Sequence, residues 1–501
     1  MFFKEKGGPM QRHLKRVLTA GIATLSALGL MGFTAQAVQT EQSADIVKED
    51  CFIPGIRVRV TCATMAVPLY RENPAAGEIE IFAAVLGAKS GKPEADPLVL
   101  FAGGPGQAAS ELTYVVAGVL GDIWQDRDVL LIDQRGTGRS TPLDCDFAED
   151  AFSPEQQREE AAKCLQDITV DTRAFNLEES VHDIAAMIKA LGYSSVNTYG
   201  VSYGTRTSAH FYRRYPELVR SIIVDAVAPP DYSLLEVAPK AAEDALNALI
   251  VDCEISDPCN TRFPTLRRNV ADYLNAAKEG SLRYTGQNPL TGEPIDVAID
   301  EIGAVESLRG VLYGANDTII LPYAIERAAQ GDLSVVMNQG FAEQTRGGMY
   351  LGMTLSYLCG EDIDRTSPEE AARFGEGSFA RDTFYRNFKN MCDVWQYTRF
   401  AELPDDMFTP WAGEVPTLIL SGDLDPITPK EGGEHIMKKL TNARHIIVPG
   451  TGHGTFSVAC VPYMMKEFLD TLDTGSLDPS CTDRIKRAPI VVGPNGQTLL
   501  R

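Results

Sequence analysis

Histidine is scarce in this chain, with six residues among 501. The six are not spaced as zinc ligands are, and no two cysteines form a C-x-x-C pair, so the sequence argues against a zinc site. The glycines of residues 133–140 fit neither the phosphate-binding loop of nucleotide hydrolases nor the fingerprint of dinucleotide-binding proteins. We therefore expect no metal and no cofactor.

Basic residues are also a minority. The chain has 46 lysines and arginines against 68 aspartates and glutamates, a formal net charge of −22. A surface of this sign does not attract phosphate backbones or anionic lipid headgroups. We therefore expect no nucleic-acid partner and no stable membrane association of the mature protein.

A long uncharged stretch lies close to the N-terminus. Residues 17–33 are mostly apolar, follow a basic segment at residues 12–16, and precede the tripeptide A-Q-A at residues 35–37. This order is typical of a secretory signal peptide, which we assign to residues 1–37. The stretch is at the short limit for crossing a bilayer, and an uncleaved anchor is the alternative. We expect an exported protein, periplasmic or extracellular.

Ten cysteines follow the predicted signal. An even number in an exported protein indicates disulfide bonds. Ten cysteines can pair in roughly 900 ways, so we pair each with its nearest neighbour in the sequence. The predicted bridges are Cys51–Cys62, Cys145–Cys164, Cys253–Cys259, Cys359–Cys392 and Cys460–Cys481.

The strongest chemical motif is G-V-S-Y-G at residues 200–204, with Ser202 at its centre. A β-prone run precedes it at residues 196–199 and a helix-compatible segment follows at residues 205–215. Strand, sharp turn and helix are the setting in which G-x-S-x-G forms a nucleophile elbow. Ser202 is therefore the predicted nucleophile, and a plain turn between core elements is the alternative.

Apolar runs around this motif predict the fold. Continuous apolar segments at residues 98–101, 129–132 and 221–226 alternate with helical patterns, which indicates an α/β fold with a mostly parallel sheet and crossover helices. Residues 51–70 and 78–86 contain alternating patterns and predict opening antiparallel strands. Residues 39–50 are expected to be a mobile N-terminus of the mature chain.

The first apolar run ends in the sequence G-G-P-G at residues 103–106. A glycine-rich loop in this place lets backbone N–H groups approach a substrate. In serine hydrolases with a nucleophile elbow, one oxyanion donor comes from such a loop and the other from the residue after the serine. We predict the N–H groups of Gly104 and Tyr203 as these donors, with a tight turn as the alternative for the loop. The charged members of residues 133–140 are expected to form a structural network.

Asp425 and His453 complete a candidate triad. Asp425 follows a buried strand run and precedes a Pro-x-x-Pro sequence that stiffens its loop, while Asp423 is the fallback. His453 lies between glycines just after the last predicted strand. Serine, aspartate and histidine follow one another in the chain order of α/β-hydrolases.

The pattern differs between residues 231 and 408, where helical periods dominate and buried-strand runs are almost absent. We therefore predict a mainly helical cap at residues 231–408. The two parts of an α/β-hydrolase core would then be residues 38–230 and residues 409–501, the latter with a C-terminal extension.

Five segments together resemble the α/β-hydrolase serine peptidases of family S33, which include the proline iminopeptidases and the tripeptidyl aminopeptidases. They span about residues 98–454 and lie at residues 103–106, 133–140, 200–204, 422–425 and 452–453. Many relatives have histidine before G-G-P-G, whereas this chain has Ala102. That difference leaves the backbone donors in place but changes the edge of the pocket.

The resemblance implies a secreted serine exopeptidase that releases single residues or short peptides from the free N-terminus of peptides through an acyl-enzyme. Members of the family hold the substrate's amino group with acidic residues of the cap, which implies this role for Glu361 and Asp362. The alternative for these two residues is a solvated acidic turn. The rival functions are a secreted esterase or lactonase with the same triad, and a non-catalytic binding protein, against which the intact triad argues.

Overall fold

The computed structural model describes residues 45–145, 147, 153–288, 292–338, 348–493 and 496. The predicted signal peptide at residues 1–37 lies outside the described residues. Within the described ranges, no helix is both long enough and apolar enough to cross a membrane.

A mostly parallel sheet occupies the centre of the described chain, as the sequence predicted. The strands in chain order are β1 (Ile46–Cys51), β2 (Val60–Pro68), β3 (Glu78–Leu86), β4 (Leu98–Phe101), β5 (Val129–Ile132), β6 (Val196–Val201), β7 (Val219–Asp225), β8 (Arg283–Gln287), β9 (Pro294–Ala298), β10 (Thr417–Gly422) and β11 (Ala443–Val448). Nine of these described strands form one sheet in the order β1-β2-β3-β5-β4-β6-β7-β10-β11. In this spatial order, the strand pairs that precede β5 are antiparallel, including the pair of β3 with β5. All later pairs, beginning with β5 and β4, are parallel.

Helices cover both faces of this sheet. In chain order they are α1 (Thr113–Gly118), α2 (Gly121–Asp126), α3 (Pro154–Asp167), α4 (Leu177–Leu191), α5 (Tyr203–Arg214), α6 (Leu234–Ile255), α7 (Asp257–Arg262), α8 (Leu266–Lys278), α9 (Glu301–Leu312), α10 (Leu321–Ala329), α11 (Leu351–Leu358), α12 (Pro368–Phe374), α13 (Thr383–Cys392), α14 (Lys430–Met437) and α15 (Val461–Thr471). All residues of β4 and β5 are buried, because strands covered on both faces have no polar side to expose.

The helices from α6 to α13 lie between β7 and β10 and form the predicted helical insertion. Part of it, from α6 to residue 337, has a hydrophobic core of its own. The insertion also contains a feature that the sequence did not predict, the antiparallel hairpin of β8 and β9. Its residues are mostly exposed or half-buried, so the apolar run that marks a core strand is missing. The fold class predicted from the sequence, an α/β-hydrolase with a mainly helical insertion, is confirmed.

The N-terminal part of the described chain corrects one expectation. Residues 46–50 were expected to be mobile, but they belong to β1, which pairs with β2 from Ile46 to Cys51. Backbone pairing and the Cys51–Cys62 bridge hold this polar edge strand in place, although it has little apolar surface. All five predicted disulfide pairs are confirmed.

Candidate active site

Ser202 lies at the sharp turn between β6 and α5. Its φ of 56° and ψ of −123° are rare for a residue with a side chain, and such strain is common at functional sites. The flanking glycines allow the turn. A Cβ at Gly200 would lie 2.3 Å from the carbonyl oxygen of Gly204, and a Cβ at Gly204 would lie 2.1 Å from that of Phe101. The G-x-S-x-G spacing therefore lets strand and helix touch, with Ser202 at the apex.

Asp425 and His453 are brought together from the loops after β10 and β11. Nδ1 of His453 donates to Oδ2 of Asp425 at 2.9 Å and lies 3.1 Å from Oδ1. Asp425 is 4% exposed, and it also accepts hydrogen bonds from the N–H groups of Ile427 and Thr428 and from the Thr428 hydroxyl. These bonds fix the carboxylate, and the carboxylate in turn fixes the tautomer and orientation of the imidazole.

The environment of His453 favours the charged imidazole. Burial opposes that charge, but the nearby carboxylate of Asp425 outweighs it, so the pKa of His453 is raised above its ordinary value. Asp423, the fallback acid, is exposed and faces the backbone N–H groups of Gly450 and Thr451 instead. Of the two candidate aspartates, Asp425 is therefore the one that is hydrogen-bonded to the imidazole.

One cavity of about 800 Å³ is lined by both Ser202 and His453. The insertion closes over it at Tyr313, whose ring packs edge-on against the imidazole with centroids 5.2 Å apart. The N–H of His453 also donates to the carbonyl oxygen of Tyr313 at 2.8 Å. The insertion is therefore bonded directly to the loop that carries the histidine.

The G-G-P-G loop lies against the nucleophile. A Cβ at Gly103 would lie 3.1 Å from Cβ and 3.7 Å from Oγ of Ser202, so the backbone of this loop comes close enough that a side chain there would crowd the serine. Gly104 lines the cavity, and its φ of 106° favours glycine. Tyr203 is the first residue of α5, and N–H groups in a first helical turn have no partner within the helix. Both predicted oxyanion donors therefore lie on segments that touch Ser202.

Glu361 and Asp362 are not brought to this cavity. They lie in a π-helical turn after α11 and are 1% and 0% exposed. The hydroxyl of Tyr203 donates to both oxygens of Glu361 at 2.7 Å, and Arg206 donates to both oxygens of Asp362 at 2.9 and 3.2 Å. These carboxylates are bonded to side chains at the start of α5, and neither lines the cavity that holds Ser202. They are also not the solvated turn that was the alternative.

The pKa values of this buried pair differ. Burial raises the pKa of Glu361 to about 7. Burial also opposes the charge of Asp362, but Arg206 outweighs it and holds the pKa of Asp362 below its ordinary value. The Arg206–Asp362 ion pair is thus the fixed part of the network, and Glu361 is the part that can change charge near neutral pH.

The sequence did not point to the charged groups that do line the cavity. These are Asp300, Glu306 and Arg309, at the start and along one side of α9. Asp300 accepts a hydrogen bond from the N–H of Gly303, while Arg309 pairs with Glu306 and donates to the hydroxyl of Tyr313 at 2.7 Å. The available signal was an oppositely charged pair three residues apart on a helix, and such pairs are common on surface helices, so this one was not distinctive.

Comparisons with known proteins agree with this geometry. A family model described as alpha/beta hydrolase fold matches residues 96–248, and one described as TAP-like protein matches residues 377–481. The serine protease Hip1 of Mycobacterium tuberculosis is 23% identical over 443 residues, which cover 78% of this chain and 81% of that protein.

Two further relatives match shorter parts. The tripeptidyl aminopeptidase of Streptomyces lividans is 25% identical over 209 residues, which cover 37% of this chain and 39% of that protein. The putative hydrolase YuaR of Escherichia coli is 25% identical over 141 residues, 27% of this chain and 28% of that protein. Its sheet, its nucleophile elbow and these matches show an α/β-hydrolase, and the chain is similar to the serine peptidases of family S33, the family that includes the tripeptidyl aminopeptidases.

Proposed function

We propose that this protein is a serine exopeptidase that removes single residues or short peptides from the free N-terminus of peptides. The observation that carries the proposal is one cavity in which Ser202 and His453 lie together with the carboxylates Asp300 and Glu306. A serine peptidase needs the first pair, and a site for a substrate ammonium needs carboxylates within reach of that pair.

The proposed reaction proceeds through an acyl-enzyme. Oγ of Ser202 attacks the scissile carbonyl carbon, and the imidazole of His453 takes the hydroxyl proton. The imidazolium, stabilised by Asp425, then protonates the leaving amine as the peptide bond breaks. The N-terminal fragment remains esterified to Ser202 until a water molecule, deprotonated by His453, attacks the acyl carbon and releases the fragment.

The N–H groups of Gly104 and Tyr203 are the proposed donors to the oxyanion that forms at the attacked carbonyl. The close approach of residue 103 to the side chain of Ser202 supports the first, and the position of Tyr203 at the N-terminus of α5 supports the second. A helix N-terminus also favours negative charge at this place. Such a donor is worth about 2.7–4 kcal/mol in the transition state of related reactions.

For the substrate's amino group, we propose Asp300 in place of Glu361 and Asp362, with Glu306 beside it in the cavity as a second carboxylate that is paired with Arg309. The carboxylates of Glu361 and Asp362 are buried and bonded to Tyr203 and Arg206, so contact with a substrate would first have to break those bonds. Asp300 is bonded to a helix N–H rather than to a cation, which leaves its negative charge available to an ammonium. The distance from this carboxylate to the attacked carbonyl would then limit the length of the fragment removed.

Export and the domain boundaries remain parts of the same proposal. Five disulfides fit an oxidising compartment, and the signal-like residues 1–37 supply the route out of the cytoplasm. The boundaries at residues 230 and 409 fall between the end of β7 and the start of β10, where the chain leaves and rejoins the sheet. N-terminal sequencing of the secreted protein would test cleavage after residue 37.

The test is hydrolysis of matched peptide nitroanilides, such as Ala-Ala-Pro and Pro derivatives, with free and with acetylated amino termini. The proposal predicts cleavage of the free forms, none with Ser202→Ala, and a higher KM for these free forms in Asp300→Asn and Glu306→Gln. Glu361→Gln is the matched control, a carboxylate of the insertion that does not line the cavity. Equal cleavage of acetylated peptides, or activity on esters alone, would contradict the exopeptidase proposal and favour a general hydrolase.

A further inference from the structure

Asp225 is a buried carboxylate that the proposed reaction does not use. It ends β7, between the strand that carries Ser202 and the strand that leads to Asp425, and it is 0% exposed. Burial raises the pKa of Asp225 to about 6, so the group is mostly ionised at neutral pH. A charge in such a place costs free energy unless it is well bonded, and its bonding partners show what it holds.

The side chain of Asp225 is bonded to the loop that carries the histidine. The N–H groups of Thr455 and Phe456 donate to Oδ2 at 2.7 and 2.9 Å, and the Thr455 hydroxyl donates to Oδ1 at 3.1 Å. Both residues follow His453 by two and three positions. This carboxylate thus holds the loop after β11 just beyond His453, and it also accepts a hydrogen bond from the Tyr199 hydroxyl of β6 at 3.4 Å.

The main chain of Asp225 is bonded to the nucleophile. Its carbonyl oxygen accepts a hydrogen bond from the N–H of Ser202 at 2.9 Å, at the strained residue of the elbow. The next residue, Ala226, donates its N–H to Leu420 of β10, the strand before Asp425. Asp225 and the residue that follows it therefore touch the segments that carry all three members of the candidate triad.

The charge of Asp225 also acts on the imidazole. The charged and titratable groups around His453 are Asp425 from the loop after β10, Asp225 from β7, and Arg309 and Tyr313 from α9 and its end. The two carboxylates favour the imidazolium and Arg309 opposes it. Asp225 thus contributes a second negative charge behind the one that touches the ring.

We propose that Asp225 is a positioning residue for the reaction: it sets the distance between His453 and Ser202 through its bonds to both loops, and it stabilises the imidazolium through its charge. The inference rests on the proposed function, because it concerns the same serine and histidine. It does not depend on which peptide is the substrate.

The rate of inactivation by an alkyl fluorophosphonate, followed against pH, tests this role without a peptide. Oγ of Ser202 forms a bond to phosphorus, fluoride leaves with the electrons of the P–F bond, and His453 takes the hydroxyl proton. The rate is limited at low pH by protonation of the imidazole. The variants are Asp225→Asn, which removes the charge, and Asp225→Glu, which keeps it on a longer side chain.

We expect Asp225→Asn to react about 100-fold more slowly, the scale of a misplacement of about 1 Å at a reacting centre. The acid limb of its pH profile, where the inactivation rate falls as the imidazole is protonated, moves to lower pH, because a negative charge near the imidazole is lost. Asp225→Glu reacts slowly as well but keeps the acid limb of the wild type. A rate within about twofold of the wild type and an unmoved acid limb in Asp225→Asn would overturn the proposal.

Asp133→Asn is the matched control. Asp133 is also 0% exposed, has a pKa raised by burial to about 6, and accepts bonds from Ser110 and Arg139, but it has no contact with the histidine loop. A merely structural effect of losing a buried carboxylate would appear equally in this variant, whereas the proposal predicts that its acid limb stays in place.

If Asp225→Asn does not fold, Thr455→Val tests whether the bonds of Asp225 to the histidine loop position His453. It removes one bond to Asp225 and no charge, so the rate should fall roughly 10-fold with the acid limb unchanged. A wild-type rate at every pH would overturn the proposal. Labelling of Ser202→Ala would overturn the proposed function and this inference together, while failure with free-amine peptides alone would leave the inference intact.

Discussion

Nδ1 of His453 lies 2.9 Å from Oδ2 of Asp425, and the same carboxylate is held by the N–H groups of Ile427 and Thr428. Asp423, two positions earlier, also follows this strand, but its carboxylate is exposed and faces the backbone N–H groups of Gly450 and Thr451. Substitutions at these two residues test which carboxylate orients the imidazole, since both residues follow β10 but only Asp425 is bonded to His453.

Asp425→Asn should lower kcat by about 10⁴-fold, because an amide holds the imidazole in the wrong tautomer and cannot stabilise the imidazolium. Asp423→Asn should leave kcat within about twofold of the wild type, since an exposed carboxylate contributes little. Steady-state kinetics on a free-amine peptide nitroanilide measures both. A large loss in Asp423→Asn with a small one in Asp425→Asn would reverse the assignment.

The pH profile should reflect the raised pKa of His453. Only the neutral imidazole accepts the proton of Ser202, and Asp425 favours the charged form, so the acid limb of kcat/KM should lie above the ordinary histidine pKa of 6.5. Activity should therefore rise with pH through this limb and reach its plateau on the alkaline side. An acid limb below that value would mean that burial, not Asp425, dominates the site.

Gly104→Ala should lower kcat by about 10²–10³-fold with little change in KM, because a side chain at a φ of 106° displaces a donor that acts in the transition state. Gly77 offers a matched control. Its φ is 118° and a Cβ there would meet no atom within 4 Å, so Gly77→Ala should cost stability through backbone strain alone. Equal kcat values for the two variants would argue against an oxyanion donor at Gly104.

Glu361 should make the stability of the protein depend on pH. Burial raises its folded-state pKa to about 7, above the ordinary value of 4.5, so the folded protein binds this proton more tightly than the unfolded chain. The resulting stabilisation is present below the lower value and is lost as pH rises through about 7. Glu361→Gln cannot lose a proton and should escape this loss.

Thermal unfolding across pH measures the effect. From about pH 5 to about pH 8, the Tm of Glu361→Gln relative to the wild type should rise by about 1–3 °C, as expected for a long chain with a large unfolding entropy. The variant should keep the wild-type preference for free over acetylated amino termini. Loss of that preference would restore the amine-binding role that the resemblance implied for Glu361.

The parts of the fold and site that the sequence predicted share one property. Ser202 and Asp425 each follow a buried strand, His453 follows the half-buried edge strand β11, and the loops that carry them have a recognisable glycine or proline pattern. Parallel strands place their carboxyl ends at one edge, so local signals were enough to bring these segments together. The disulfides were predictable for a similar reason, because each joins cysteines that are near neighbours in the sequence.

The remaining features depend on packing between distant segments. The acidic pair at Glu361 and Asp362 is visible in the sequence, but its burial depends on Tyr203 and Arg206, more than 150 positions earlier. The contact between Tyr313 and His453 joins the insertion to the last loop of the core, with no pattern at either residue. The strand β1 was missed because it is a polar edge strand. Backbone pairing with β2 on one side holds it in place, so its sequence needs no alternation of apolar residues that could be detected.

The central claim is that Ser202 forms an ester with a short N-terminal fragment of the substrate. Intact mass spectrometry of the enzyme, quenched with acid during turnover of a free-amine peptide of about ten residues, measures this directly. We expect an adduct on Ser202 with the mass of a single residue or a short N-terminal fragment, and none in Ser202→Ala. Acyl fragments of many lengths would indicate an endopeptidase, and turnover without an adduct by Ser202→Ala would contradict the account.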